Sequence, residues 1–240
     1  MSEQAQVSEL AGTTAAVKKP RIYLEPLDPE KHMEGFHELW TDEETLVWFN
    51  SPFPVKTSIS ESREFLLKIL PNEENPDIEK FAMMLIPEEG RAERGEGEMV
   101  GFVGTNRYKE QGMEVGYVIN RRFWGRGFAT EGMRLFLDMY WAMDERKYIT
   151  RLVGKTSPNN IASQNILLKC GARRGEVLKD VLKLFVDGGK TSDLVCWYLD
   201  RPGFERGEGS REVEREERRG FLVRREGRER QGEGEKMYLA

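Results

Sequence analysis

Asn120-Arg121-Arg122-Phe123-Trp124-Gly125-Arg126-Gly127-Phe128-Ala129-Thr130-Glu131-Gly132 joins two elements of different periodicity. Before it, the stretch Glu114–Asn120 alternates like a strand, with Val115, Tyr117 and Ile119 on one side and Val118 on the other. After it, Ala129, Met133, Phe136, Tyr140 and Met143 recur at helical spacing, which predicts a helix over Gly127–Met143. Leu135, Leu137 and Met139 add apolar surface, so this helix is expected to be covered on more than one side. A strand that runs through a glycine turn into a helix presents free backbone N–H groups at the positive end of the helix dipole. Glycines let an anion approach that backbone, so the turn suits a phosphate or pyrophosphate. Chain reversal alone is the competing explanation, since glycine is the common turn residue. Neither a G-x-G-x-x-G dinucleotide fingerprint nor a Walker loop ending in Gly-Lys-Ser/Thr is present here.

Upstream, Arg21–Leu27 alternates as a strand closed by proline, and Glu30–Trp40 turns helical through Met33, Phe36, Leu39 and Trp40. Ser58–Leu70 predicts a second helix with Ser60 as its cap. Phe81–Ile86 and Met99–Val103 are strands flanking a polar loop. Downstream follow a strand at Thr150–Lys155, a short helix at Ile161–Cys170 closed by Gly171, and a hairpin of Val181–Val186 with Leu194–Leu199 turning at Asp187-Gly188-Gly189. The mixed order implies an α/β fold with a mostly antiparallel sheet.

Charged residues make up 33% of the 240 positions, against about 25% in an average globular chain. The excess is concentrated at the end: the last 38 residues carry ten acids, ten bases and seven glycines. Three parts are therefore expected: a disordered lead-in over 1–19, a folded domain over 20–202, and a Glu/Arg/Gly-rich tail over 203–240. A helix over Arg211–Arg219 is open to that tail through its recurring Glu/Arg pairs. The net charge of −5 lies in residues 1–202 and argues against a nucleic-acid partner. Apolar runs fall far short of the roughly 20 residues of a membrane span, and the first residues lack a secretory pattern. Cys170 and Cys196 make neither a disulfide scaffold nor a zinc cluster and are expected as core thiols. A soluble, cytoplasmic protein is the simplest expectation. His32 and His37, five apart, do not share a helix face for a metal, so no metal is expected and both are read as surface residues.

Trp124-Gly125-Arg126-Gly127-Phe128-Ala129-Thr130-Glu131 resembles the W-G-x-G-Y-A-T-E signature of the GNAT N-acetyltransferase superfamily, RimJ/RimL-like branch. The general Q/R-x-x-G-x-G/A motif is met literally from Arg122 and, with Trp in place of its first residue, from Trp124; the second register agrees with that branch, and Arg122 is then surface or ligand-facing. Asn160-Ile161-Ala162-Ser163 is similar to the branch's N-x-x-S, and Lys169-Cys170-Gly171 to the end of the helix that follows. The likeness spans about residues 20–202. It implies the GNAT fold, a mixed sheet with flanking helices and a splayed central strand pair. It implies acetyl-CoA as co-substrate and direct attack of an amine on the thioester within a ternary complex. The acceptor would be a small amine or a protein N-terminus, and a homodimer is compatible with the family.

The resemblance assigns backbone groups of Val118 and Ile119 to the pantetheine and thioester, the N–H groups of Gly125, Arg126, Gly127, Phe128, Ala129 and Thr130 to the pyrophosphate, Trp124 to the cofactor site beside them, and Asn160 to the cofactor arm. Glu114 is the candidate for deprotonating the amine, against an exposed strand-end carboxylate; Glu131 is better suited to the helix dipole. Ser163 is the candidate proton donor to the leaving thiolate, against a hydrogen bond to its own helix backbone. Trp48 and Phe49 are candidates for lining the acceptor cleft. Two departures stand out: Leu167 falls near the position of a late tyrosine common in the family, and Ala172 replaces the usual phenylalanine after glycine. A module that binds acyl-CoA without catalysis therefore stays open, as does a structural domain whose tail recruits a partner.

Overall fold

The computed structural model describes residues 19–49, 55–73, 75–87, 97–183, 188 and 190–204. The expected lead-in before Lys19, the loop residues 50–54 and 88–96, most of the last hairpin turn and the tail beyond Phe204 lie outside the described residues. Strands β1 (Ile22–Pro26), β2 (Lys80–Leu85), β3 (Met99–Lys109), β4 (Gly112–Ile119), β5 (Arg151–Thr156), β6 (Arg173–Lys183) and β7 (Thr191–Asp200) form one sheet in the order β1-β2-β3-β4-β5-β7-β6. Every neighbouring pair is antiparallel except β4–β5. Helices α1 (Met33–Thr41) and α2 (Ile59–Ile69) precede β2, α3 (Phe128–Ala142) links β4 to β5, and α4 (Ile161–Lys169) links β5 to β6.

Strand alternation sends side chains to two cores. Phe81 and Met83 join Val103, Phe136, Tyr140, Leu152 and Leu167 on the α3/α4 face. Ala82 and Met84 join Phe36, Trp40, Phe65 and Phe102 on the α1/α2 face. The second core is built largely of aromatic rings, with Trp40 edge-on to Phe65 at 4.6 Å and to Phe49 at 5.1 Å. β4 divides as its alternation predicts: Val115 and Ile119 enter the first core and Val118 the second. Gly132 lets α3 descend onto the sheet, because a Cβ there would collide with Met83.

Several local expectations shift. Ser58, not Ser60, caps α2: its backbone is extended and its side chain accepts from Glu61 N. β3 continues six residues beyond Val103, past a register irregularity between Thr105 and Tyr108, and reverses tightly into β4. β6 begins at Arg173, well before the expected Val181. It is an edge strand whose side chains are mostly exposed and polar, so hydropathy gives it little signal. His32 is buried, 2% exposed, and its ring contacts Glu25 while accepting from Asp28 N; His37 is half-buried and bonds Ser62. Neither is the surface residue the sequence suggested. Cys196 is fully buried and Cys170 partly so.

Candidate active site

The parallel pairing of β4 with β5 covers only Met113↔Leu152 and Glu114↔Val153. β4 continues along β3 to Gly101↔Ile119, while β5 continues along β7 to Thr156↔Val195. The two strands therefore part after Glu114 and open a gap in the middle of the sheet. Asn120 N donates to Val100 O at 2.9 Å, and Thr105 N turns the other way, to Glu79 O. With the strict alternation of antiparallel bonding, Val118 directs its backbone groups to β3, whereas Val115, Tyr117 and Ile119 direct theirs to the gap. Of the two residues expected to meet the pantetheine, only Ile119 has backbone facing the gap. Its carbonyl accepts the Trp124 indole N–H at 2.7 Å. Trp124, 44% exposed, thus ties the glycine turn to the end of β4.

In the turn, Gly125 and Gly127 have φ of +71° and +83°, which L side chains rarely adopt. Gly127 stands at the N-terminus of α3 and offers no side-chain cap. The first-turn N–H groups of α3 are thereby left for an external acceptor. Arg21, which the sequence did not single out, braces the turn. Its side chain pairs with Glu131 at 2.7 Å and donates to Arg126 O at 2.9 Å, and its guanidinium covers the Phe128 ring. Glu131 also accepts from the backbone N–H groups of Arg21 and Ile22, so it fastens β1 to the first turn of α3. Arg126 is exposed and stacks over Phe123 and Phe128, while Arg122 pairs with Glu38 and Glu98. Ala129 and Thr130 lie half-buried in the first turn.

Across the gap, Asn160 is the N-cap of α4, its side chain accepting from Ser163 N at 3.0 Å. The N-x-x-S spacing is thus a helix cap that fixes Ser163 in the first turn. The Ser163 hydroxyl accepts from Tyr117 Oη at 3.0 Å and so bonds a side chain of β4. Burial pushes the Tyr117 phenol up to about 12, and the bond to Ser163 opposes that rise. Leu167 is buried and packs onto Gly154 of β5, so α4 brings no hydroxyl from that position. Tyr117 supplies one from β4 instead.

Glu114 faces the α1/α2 side and is 5% exposed, not a solvated strand end. Lys155 donates to it at 2.7 Å, and Lys109 lies 3.4 Å from its other oxygen. Lys155 also reaches Gln111, and the buried Lys80 reaches Asn106 at 2.5 Å. Desolvation pulls the Lys80 ammonium down to about 7, opposed by the Glu114 charge. Lys155 and Lys109 against the single Glu114 carboxylate leave this side of the gap with an excess of positive charge, to which Lys80, held near 7, adds only a part. Trp48 is half-buried beside Leu182 and Leu194, on the β6–β7 pair. Phe49 is 3% exposed and packs edge-on against Trp40, so it backs the region from within the core. Among the described residues no group of three or more His, Cys, Asp or Glu could hold a metal ion, and no helix is long and apolar enough to cross a membrane.

A family model for the acetyltransferase (GNAT) domain matches residues 21–173. The chain belongs to the GNAT acetyltransferases. This GNAT domain is similar to the uncharacterized N-acetyltransferase p20 of Bacillus licheniformis, at 24% identity over 149 residues, 61% of this chain and 76% of that protein. Its fold is shared by RimL, a ribosomal L7/L12 alpha-N-protein acetyltransferase solved with coenzyme A, at a TM-score of 0.62 and 17% identity over 76% of this chain and 95% of that one. It is also shared by the ribosomal-protein-S5-alanine acetyltransferase of Vibrio fischeri, at a TM-score of 0.61 and 12% identity over 79% and 98% of the two chains. These neighbours share the fold of this domain. The GNAT sheet extends beyond the matched residues, through β7 to Asp200.

Proposed function

We propose that this GNAT domain is an N-acetyltransferase that moves the acetyl group of acetyl-CoA to an amine by direct attack. One observation carries the reading: the gap between β4 and β5 opens beside a left-handed glycine turn with an uncapped helix N-terminus. The turn, Gly125–Thr130, would hold the pyrophosphate through its N–H groups, with Arg126 adding charge. The gap-facing backbone of Tyr117 and Ile119 would align the pantetheine and thioester, and the Asn160 amide would contact the arm. Val118, whose backbone is turned to β3, would contribute through its place in the wall.

An alkylamine with a pKa near ~10 is mostly charged at neutral pH, so its proton must leave before attack. Glu114, on the acceptor side of the gap, is our candidate acceptor of that proton, directly or through water. Ser163, across the gap, is our candidate for stabilising the departing thiolate. Trp48 would line the acceptor cleft with Phe49 behind it. The cationic surroundings of Glu114 favour a neutral or acidic acceptor, such as a protein N-terminus followed by acidic residues, over a polyamine.

Calorimetry with coenzyme A and a thiol-release assay with acetyl-CoA test the reading, using as acceptors peptides with free N-terminal serine or alanine, and spermidine. Binding with acceptor-dependent thiol release is expected. Binding without turnover on any acceptor would favour a non-catalytic acyl-CoA module, and no binding would refute both. Glu114→Gln should lower kcat most near neutral pH and converge on the parent where the amine is free. A loss equal at all pH values would remove Glu114 from that role.

A further inference from the structure

The late tyrosine expected on α4 is absent, yet a phenol stands at the same serine. Tyr117 and Ser163 are 46 positions apart, and Tyr117 Oη lies 3.0 Å from Ser163 Oγ. They approach from opposite sides of the gap, Tyr117 from a strand that has left β5 and Ser163 from the first turn of α4. The serine backbone is already held by Asn160 at 3.0 Å. The phenol therefore acts on a hydroxyl whose Cα position is fixed.

We propose that Tyr117 is a positioning residue for acetyl transfer: by donating its O–H to Ser163 Oγ, it turns the serine O–H toward the sulfur of the departing thiol. This inference rests on the proposed role of Ser163. A serine hydroxyl has one proton and two acceptor lone pairs. With one lone pair taken by the phenol, the single Ser163 proton is directed away from Tyr117. A hydroxyl that accepts one hydrogen bond also donates a stronger one. As the C–S bond breaks, its electron pair stays on sulfur, and the Ser163 hydroxyl hydrogen-bonds that developing charge. Counted from the ammonium, the nitrogen loses two protons, one to Glu114 or water before attack and one on becoming an amide, and the sulfur gains one, so the Tyr117–Ser163 pair returns with its protons unchanged. The phenol, held up near 12, is a poor net donor to a thiolate whose thiol has a pKa of about 8.5. It is well suited to stay protonated and donate throughout the working pH range.

The test is a double-mutant cycle on the full chain with Tyr117→Phe, Ser163→Ala and the double variant, following thiol release from acetyl-CoA with the best acceptor of the panel above. Calorimetry with coenzyme A and circular dichroism run alongside. Tyr117→Phe should lower kcat roughly tenfold, the loss of about one hydrogen bond. The KM for acetyl-CoA and the affinity for coenzyme A should stay within about twofold. In the Ser163→Ala background the same change should have no further effect. A kcat unchanged in Ser163→Ala would remove the serine role and this inference with it. A loss in Ser163→Ala but none in Tyr117→Phe would overturn the inference alone, and so would losses that multiply in the double variant. If Tyr117→Phe alters the circular dichroism, 3-fluorotyrosine at position 117, which keeps ring and hydroxyl, separates packing from hydrogen bonding: a kcat within about twofold of the parent supports the inference, and a loss as large as that of Ser163→Ala overturns it.

Discussion

Gly127→Ala tests the turn that organises the site, and Gly171→Ala supplies an internal control. Both glycines are left-handed, at φ +83° and +85°, and each stands at a helix end, Gly127 before α3 and Gly171 just after α4. Space is not limiting at either. A Cβ on Gly127 would come no closer than 3.5 Å, to Arg21 Nη2, and one on Gly171 would meet nothing within 4 Å. The stability cost is then the left-handed backbone alone, about 1–2 kcal/mol for a non-glycine residue. For a domain of this size that lowers Tm by roughly 2–8 °C in both variants. The two should separate in ligand binding. At Gly127 the methyl group intrudes where the proposed pyrophosphate approaches the N–H groups of α3. Losing one charge-assisted hydrogen bond is worth about 1.5–3 kcal/mol, or roughly 10- to 150-fold in Kd for coenzyme A. Gly171→Ala should bind as the parent does. Circular dichroism melts give the first quantity and calorimetry the second. An unchanged Tm in Gly127→Ala would refute the backbone argument. A normal Kd with the Tm lowered would refute the placement of the pyrophosphate.

Arg21→Ala removes the brace behind the turn. Because the Arg21 guanidinium is half exposed, its ion pair should contribute no more than about 1 kcal/mol to stability, while calorimetry should show weaker coenzyme A binding; a pure stability effect would refute the bracing role. Phe49→Ala should cost about 3–5 kcal/mol in urea unfolding, as for a buried aromatic, whereas Trp48→Ala should cost less and raise the KM of the acceptor; equal stability losses would refute the distinction. Lys80 gives a pH signature. Its folded pKa is near 7 and its unfolded value is the ordinary one, near ~10.4. Below pH 7 both states are protonated and folding bears the whole desolvation cost. Between pH 7 and 9 the unfolded chain alone holds the proton, so stability rises with pH. Urea unfolding at pH 6, 7.5 and 9 should show the parent gaining on Lys80→Met by up to about 1.4 kcal/mol per pH unit above 7, and a constant difference would refute the shift.

What could be read from the sequence alone was local in origin. The alternation of β4, the helical spacing of α3, the glycine turn between them and the N-x-x-S motif at the start of α4 depend on residues a few positions apart, which meet through backbone geometry whatever the rest of the chain does. Those signals sufficed for the family and for the existence of the glycine turn before α3. Everything that depends on sheet register was decided by the tertiary structure. The pairing of Asn120 with Val100 determines that Tyr117 and Ile119, and not Val118, face the gap. The order β5-β7-β6 leaves β6 as a polar edge strand with little hydrophobic signal. Phe49 reads as a cleft aromatic until α1 and α2 close over it, and Glu114 stays open between a base and an exposed strand-end acid until Lys155, 41 positions away, pairs with it in the interior. Tyr117 carries an ordinary strand pattern, and only folding brings its hydroxyl to Ser163. Local sequence specifies which groups each element carries. Strand register and the parting of β4 from β5 specify which of those groups meet.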